Sequence, residues 1–207
     1  MEKVLIESIN KIFTKKECEL IKSYAKLKIR QVDVLHDGKY DSAGGRMLSD
    51  KLLLNDERYS WIRDKIQTWV DSLNLNPRIN MNGGGEVVLC HYLPGMYFIP
   101  HTDDVAGDEL GSKRPDGIRK EIKNNELSVR KRIFTIGVQL SDKDEYTGGE
   151  LQFETEDGTH TMNQEQGSVW VASTGWVHWV NKIESGIRWS IQIFIENDLV
   201  EELNGRN

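Results

Sequence analysis

From residue 86 onward, the sequence is dominated by short segments in which apolar and polar residues alternate with a period of two. Alternation of this kind places one face of a strand in a core and leaves the other face polar. Turn residues separate the segments, as in sheets whose antiparallel strands are joined by short connections. The pattern therefore predicts an antiparallel sandwich or barrel, with strands at residues 86–93, 132–140, 149–155, 159–163, 167–173 and 186–195. Asp157-Gly158 is predicted to form a tight hairpin turn between two of them.

The N-terminal part of the chain has a different periodicity. Residues 3–12 predict a short strand, after which Thr14 and Glu17 have the spacing of a capping box at the start of a helix. A second helix is predicted from about Asp56 to Leu73, because its apolar residues recur every three or four positions. The fold class is therefore α+β, mainly β, with two N-terminal helices supporting an antiparallel β core.

The chain is predicted to form a single domain, residues 1–207, because no repeat and no interdomain linker interrupts it. Residues 1–80 would be the helical support region, with a short strand and a loop rich in glycine and aspartate at residues 30–48. The segment at 104–131 is long, charged and poor in apolar residues, which is typical of functional or disordered loops. We expect residues 104–131 and 36–48 to form mobile lids over the mouth of the barrel.

Composition excludes several classes of partner. The net charge is −6, so the chain has no overall basic character of the kind that binds nucleic acid or an anionic membrane. No apolar run is long enough for a membrane-spanning helix, and the N terminus lacks the pattern of a signal peptide. The two cysteines, Cys18 and Cys90, do not form a disulfide framework. These features predict a protein of the reducing cytoplasm.

Candidate metal ligands are concentrated near one histidine. His101 and Asp103 stand two apart, and in a strand residues with this spacing point to the same side, so both could bind one ion. Alone, a His-x-Asp pair is more often a solvated strand end. A third ligand must come from later in the chain, where His160 lies beside a predicted hairpin turn and His178 follows a strand. His178 also has a purely structural interpretation, as a half-buried histidine between Trp176 and Trp179.

An arginine lies in the most apolar of the predicted strands. Alternation there places Arg188, Ser190 and Gln192 on one face and the isoleucines and Trp189 on the other. A guanidinium in such a strand requires an anionic partner. A carboxylate on a ligand would satisfy it with two parallel hydrogen bonds, and so would an internal aspartate or glutamate.

Together, these motifs resemble the 2-oxoglutarate- and Fe(II)-dependent dioxygenases, and within them the prolyl 4-hydroxylase group. The similarity extends over residues 8–196 and includes Tyr92, Gly95 and Pro100 before His101, the segment "RIFTIGVQLS…YTGGELQF", and the first helix "FTKKECELIKSYA". The resemblance implies a distorted double-stranded β-helix, a relative of the jelly roll and the cupins, with residues 86–196 as its core. It also implies that Fe(II) is bound by His101, Asp103 and His178. Arg188, with Tyr92 and Ser190, would bind 2-oxoglutarate.

The activity implied is hydroxylation of a C–H bond with 2-oxoglutarate and O₂ as co-substrates, release of succinate and CO₂, and ascorbate as a possible activator. The substrate would be a prolyl residue of a peptide or protein, a free amino acid, or another small metabolite. Three positions depart from the family pattern: Phe98 stands where tyrosine is frequent, Leu151 follows Gly-Gly-Glu in place of threonine, and Arg188 replaces lysine. These departures bear on the substrate rather than on the cofactor.

Two other functions remain compatible with the residues. A non-catalytic β-barrel that binds a metal or a ligand would have the same strands. A zinc hydrolase could use the same His/Asp/His set, although it would leave Arg188 without a function and the His-Glu-x-x-His pattern is absent from the sequence.

Overall fold

The computed structural model describes residues 4–24, 30–36, 39–51, 57–75, 78–81, 87–103, 118–123 and 126–198. Its helices are α1 (Lys15–Ser23) and α2 (Glu57–Ser72). Its strands are β1 (Leu5–Glu7), β2 (Arg30–His36), β3 (Lys39–Lys51), β4 (Val87–Tyr92), β5 (Phe98–His101), β6 (Ile118–Lys123), β7 (Glu126–Gln139), β8 (Tyr146–Gly148), β9 (Leu151–Thr155), β10 (Gly158–Thr161), β11 (Val169–Ser173), β12 (His178–Val180), β13 (Ile183–Gly186) and β14 (Arg188–Asp198).

Helix α1 begins as the sequence predicts. Glu17 N–H donates to Thr14 Oγ1 at 3.3 Å, and Thr14 N–H donates to Glu17 Oε2 at 2.7 Å, so both halves of the capping box are present. These bonds satisfy backbone donors that have no partner within the helix. The helix buries Cys18 and Ile21. Neither described helix is both long enough and apolar enough to span a membrane.

The larger sheet is antiparallel and has the strand order β1-β11-β7-β14-β4-β3, with β2 paired to β3 and β6 paired to β7. Both helices pack on one face of this sheet, because their apolar stripes and the outward side chains of its strands belong to the same core cluster. That cluster includes Ile62 and Ile66 of α2, Leu89 of β4, and Ile191 and Ile193 of β14, each buried. This face of the sheet is therefore structural.

The smaller sheet has the order β5-β12-β9-β10 and joins the larger one where Gly45 pairs with Phe98. A second core cluster contains residues of both sheets, among them Tyr92 and Trp170 of the larger sheet and Phe153 and Val180 of the smaller one. The two sheets therefore face each other across a shared interior. The turn between β9 and β10 lies one residue earlier than predicted, since Thr155 pairs with Gly158, which adopts a φ of +114°.

The register of β14 determines which side chains point into this interior. Arg188 pairs with Tyr92 and Ser190 pairs with Cys90, and both partners belong to the interior cluster. Arg188 and Ser190 thus face the interior, while Ile191 and Ile193 face the helices. The predicted alternation of this strand is confirmed.

Three secondary-structure predictions are wrong. The first strand covers only Leu5–Glu7, not residues 3–12. Residues 39–51 are strand β3, not a loop, and residues 118–123 and 126–131 lie in strands β6 and β7. Strands β2 and β3 form one antiparallel hairpin, and strands β6 and β7 form another. Their backbone hydrogen bonds form without an apolar alternation in the sequence. The N-terminal support region therefore contains more strand than the sequence predicts. Residues 37–38, 104–117 and 124–125, on which the lid prediction depends, lie outside the described part of the chain.

Candidate metal and co-substrate site

The two candidate histidines are neighbours across a pair of strands. His101 ends β5 and His178 begins β12, and the two residues are directly paired in the antiparallel register. Their ring centroids are 4.3 Å apart. Side chains at paired positions lie on the same face of a sheet, so this register explains why residues 77 positions apart in sequence converge.

Hydrogen bonds fix the tautomer of both rings. Nδ1 of His101 lies 2.8 Å from the carbonyl oxygen of Ile99, and Nδ1 of His178 lies 3.0 Å from that of Trp176. A carbonyl oxygen only accepts, so in each neutral ring the proton is on Nδ1. The lone pair of each Nε2 is therefore free to coordinate a metal, in the arrangement typical of metal-bound histidines.

Asp103 supplies the third donor and connects the two sheets. Its Oδ1 lies 3.7 Å from His101 Nε2, and its Oδ2 lies 3.4 Å from His178 Nε2. The backbone N–H of Asp103 donates to the carbonyl oxygen of Thr174 at 2.9 Å. From strand β7, Thr135 Oγ1 donates to Oδ2 at 2.7 Å. Both the backbone and the carboxylate of Asp103 are thus held in place.

The donor set suits a divalent cation. The ligand atoms of His101, Asp103 and His178 all lie within 4.8 Å of one another. His178 Nε2 is buried and has no hydrogen-bond partner, which is costly unless something else binds it. Burial and the neighbouring His178 lower the pKa of His101 to about 4, which leaves the ring neutral. Burial raises the pKa of Asp103, but the two histidines and Thr135 outweigh that effect and leave it below its ordinary value. Two neutral imidazoles and one carboxylate form the ligand set of non-haem Fe(II) sites.

Arg188 is the second feature that requires a ligand. The side chain is 5 % exposed, its Nε has no hydrogen-bond partner, and its Nη1 donates to Ser190 Oγ at 3.5 Å. Its guanidinium carbon lies 5.5 Å from the centre of the Tyr92 ring. Among the residues that the structure describes, no carboxylate lies within 4.0 Å of this guanidinium. The internal ion pair that could have explained the arginine is therefore not found there.

The three donors and Arg188 open onto the same interior. Burial raises the pKa of Tyr92 well above its usual range and that of Cys90 to about 12. In both cases the charges of Arg188 and Asp103 act on the same group, Arg188 lowering the pKa and Asp103 raising it. Tyr92 and Cys90 therefore lie within electrostatic reach of both ends of the site.

Comparison with known proteins agrees with this geometry. Residues 87–196, more than half of the chain, match the model of the 2OG-Fe(II) oxygenase superfamily. The chain belongs to this superfamily. Membership implies Fe(II) and 2-oxoglutarate as cofactor and co-substrate, with O₂ as the second co-substrate. A search of curated proteins found no significant match.

Solved structures of prolyl hydroxylases share the fold of this oxygenase. The Pseudomonas putida prolyl-4-hydroxylase superposes with a TM-score of 0.61 at 14 % identity, over 92 % of this chain and 91 % of that one. The viral collagen prolyl hydroxylase of Paramecium bursaria Chlorella virus-1, solved with 2-oxoglutarate, gives 0.59 at 18 % identity, over 93 % and 95 %. A Trichoplax adhaerens prolyl hydroxylase, solved with a hypoxia inducible factor peptide, gives 0.63 at 14 % identity, over 92 % and 82 %. The predicted double-stranded β-helix is confirmed.

The aromatic rings packed against the two histidines of the oxygenase include those of Phe153 and Phe98. Phe153 of β9 stacks on His178 with centroids 5.0 Å apart and 19° between the rings, and Phe98 lies 4.5 Å from His101. Trp179 alternates with His178 along β12 and therefore points to the opposite face of the sheet. Trp176 belongs to the margin of the interior cluster, and its Nε1–H donates to the carbonyl oxygen of Val4 at 3.0 Å.

Two other histidines lie away from the donor set. His160 is exposed on β10, as predicted, and its Nε2 is 3.1 Å from Glu7 Oε2. His91 is buried and stacks on Trp189, with centroids 4.0 Å apart and 16° between the rings, on the helix side of the larger sheet. Among the four histidines whose side chains the structure describes, the two that converge are thus His101 and His178.

Thr135 is the contact that sequence reasoning did not single out. It lies 32 residues from Asp103 and on the other sheet, so no local pattern connects the two. The only feature of the sequence that could have indicated this contact is the position of Thr135 on the interior face of β7. A threonine there is also compatible with ordinary packing.

Thr135→Val should therefore weaken metal binding while leaving the fold intact. Valine keeps the shape of the side chain but removes the donor that orients the Asp103 carboxylate. Loss of such an outer hydrogen bond typically costs about 10- to 100-fold in metal affinity. Calorimetric titration of the metal-free protein with Mn(II) measures the effect, with Thr161→Val on the exposed strand β10 as a matched control. Equal affinities for the two variants would show that Thr135 does not position the carboxylate.

Proposed function

We propose that the protein hydroxylates a C–H bond of a peptidyl proline or an amino acid, converting 2-oxoglutarate and O₂ to succinate and CO₂. In this proposal His101, Asp103 and His178 bind Fe(II), and Arg188, with Tyr92 and Ser190, binds the distal carboxylate of 2-oxoglutarate. When bound, the iron and 2-oxoglutarate supply the oxidising chemistry.

One observation carries the proposal: the same interior contains three ligand atoms that all lie within 4.8 Å of one another and a buried guanidinium with an unpartnered Nε. Each feature is unfavourable without a ligand, since the first requires a cation and the second an anion. A metal chelated by a dicarboxylic oxo acid satisfies both at once. A zinc hydrolase would satisfy only the first.

The chain's own residues would position and shield the reactants. The Nδ1–H bonds of both histidines and the Thr135 bond to Asp103 hold the donors in place before a ligand arrives, which reduces the cost of ordering them. Phe153 and Phe98 cover the histidine rings and exclude water from that side. Arg188 would orient the co-substrate through its far end.

A prolyl peptide or protein is the substrate class best supported by similarity, because structural neighbours are prolyl hydroxylases and one of them was solved with a peptide. Phe98 and Leu151 both border the interior, and they replace hydroxyl-bearing residues of the family pattern with apolar ones. Because of these two replacements, a free amino acid is the second candidate substrate.

Turnover assays across a substrate panel test the proposed reaction. The protein is supplied with Fe(II), 2-oxoglutarate, O₂ and ascorbate, together with prolyl peptides, the same peptides with alanine in place of proline, or free amino acids. We expect one class to yield succinate in step with a product heavier by one oxygen atom. Tight 2-oxoglutarate binding without succinate formation from any member would instead indicate a non-catalytic binding module.

A further inference from the structure

The orientation of Gln139 is fixed by its surroundings. This residue is buried on the interior face of β7, opposite Ser190 in the register with β14. Its Nε2 lies 3.0 Å from the carbonyl oxygen of Ser141 and 3.0 Å from the hydroxyl of Tyr146. Because a carbonyl only accepts, the nitrogen of the amide must face Ser141. The amide uses one hydrogen on Ser141 and the other on Tyr146.

The same bond fixes the role of the Tyr146 hydroxyl. Its oxygen accepts from Gln139, so its single hydrogen must be donated elsewhere. Tyr146 is 5 % exposed and belongs to the interior cluster. In the described part of the chain, its hydroxyl has no hydrogen-bond acceptor, which would be unfavourable for a buried donor in the absence of a ligand.

Tyr146 and Arg188 lie over the same glycine. A Cβ atom added to Gly149, whose φ is +69°, would lie 3.3 Å from Tyr146 Cε2 and 3.4 Å from Arg188 Cδ. Both side chains therefore border the space above Gly149, where any larger residue would collide with Ile183 at 2.1 Å. Their polar ends are connected through one strand pair, because Gln139, which donates to the Tyr146 hydroxyl, lies opposite Ser190, which accepts from Arg188. The phenol and the guanidinium thus belong to the same part of the interior.

From this geometry we infer that Tyr146 donates its hydroxyl hydrogen to the distal carboxylate of the co-substrate, and that Gln139 is the positioning residue that orients the phenol. The inference rests on the proposed function, and it extends the carboxylate site from Arg188, Tyr92 and Ser190 to a fourth side chain. A carboxylate has lone pairs enough for all of these donors. Selection of a dicarboxylic over a monocarboxylic oxo acid would then depend on Tyr146 as well as on the arginine.

A calorimetric comparison of two oxo acids tests the inference without turnover. The Mn(II)-loaded protein is titrated anaerobically with 2-oxoglutarate and with 2-oxopentanoate, which has a methyl group in place of the distal carboxylate. Tyr146→Phe should weaken 2-oxoglutarate binding roughly 10- to 100-fold, as expected for a lost hydrogen bond to a charged group. It should leave 2-oxopentanoate binding unchanged. Gln139→Met should show a smaller loss of the same selectivity, and Tyr24→Phe, at the C-cap of helix α1, should show none.

The outcomes separate this inference from the function on which it rests. If the wild type prefers 2-oxoglutarate and Tyr146→Phe retains that preference in full, or loses affinity for both oxo acids equally, Tyr146 has only a structural role. If the wild type itself does not distinguish the two oxo acids, the proposed site for the distal carboxylate is wrong as well.

Discussion

Replacing His178 with alanine is expected to abolish 2-oxoglutarate turnover and to lower the affinity for divalent metal by more than the roughly 10- to 100-fold typical of losing an outer-shell partner. The substitution leaves Asp103 and His101 as the remaining donors, and it removes the ring whose buried Nε2 has no other partner. Two donors cannot complete the facial arrangement of two histidines and one carboxylate. Titration of the metal-free variant with Mn(II), followed by a succinate assay with Fe(II), measures both effects.

His160→Ala is the matched control for this variant. His160 is exposed on β10 beside Glu7, so its removal should change neither metal affinity nor turnover. Thermal unfolding of the metal-free proteins checks that His178→Ala retains its fold, since the ring also stacks on Phe153. A folded His178→Ala protein that binds one equivalent of metal as tightly as the wild type would contradict the assignment of this residue.

Arg188→Ala should weaken 2-oxoglutarate binding by about 2–5 kcal/mol, the range for breaking a desolvated charge pair. Metal affinity should be unchanged, because the guanidinium belongs to β14 and is not one of the three donors. Arg188→Lys should be milder, since lysine keeps the charge but loses the two parallel hydrogen bonds. Anaerobic calorimetry of the Mn(II)-loaded proteins with 2-oxoglutarate gives both values.

The control for Arg188 is Arg63→Ala on helix α2, where the guanidinium pairs with Asp64 at 2.8 Å. This variant should bind 2-oxoglutarate normally. If Arg188→Ala unfolds the protein, or leaves the affinity for 2-oxoglutarate unchanged, then Arg188 is a structural residue. In that case the strongest support for the co-substrate site outside the three donors is lost.

Local patterns in the sequence predict much of this fold because the physics that forms those elements is itself local. The capping box of Thr14 and Glu17 requires only a four-residue window, and α2 requires only its apolar spacing. Strands β4, β11 and β14 have one face in the core between sheet and helices, so their alternation is visible. The side of β14 that bears Arg188 follows from the same alternation.

The two hairpins formed by β2 with β3 and by β6 with β7 could not be predicted in this way. Strand β6 has the sequence IRKEIK, and β3 contains Gly44-Gly45, so neither resembles a half-buried strand. Strand β2 pairs with β3 and strand β6 pairs with β7 through backbone hydrogen bonds, which leave no apolar signature. The Asp-Gly pair at residues 37–38 is a hairpin signal that favours the observed pairing of the strands on either side.

Some residues of the candidate site can likewise be predicted from the local sequence, and others cannot. His101, His178 and Arg188 are polar residues in apolar strands, and Asp103 follows His101 by two residues, which makes each of them conspicuous in the sequence. Thr135 and the Gln139–Tyr146 pair acquire their roles from the register between distant strands. Register of that kind is a property of the folded sheets, because a shift by one residue would turn each side chain to the opposite face.

A crystal structure of the protein grown anaerobically with Mn(II) and 2-oxoglutarate tests the central claim most directly, since anomalous scattering locates the metal without reference to the protein. We expect one manganese peak bound by Nε2 of His101, a carboxylate oxygen of Asp103 and Nε2 of His178. 2-Oxoglutarate should extend from that metal to the Arg188 guanidinium. A metal bound elsewhere, or 2-oxoglutarate bound without contact to either the metal or Arg188, would contradict the proposed site.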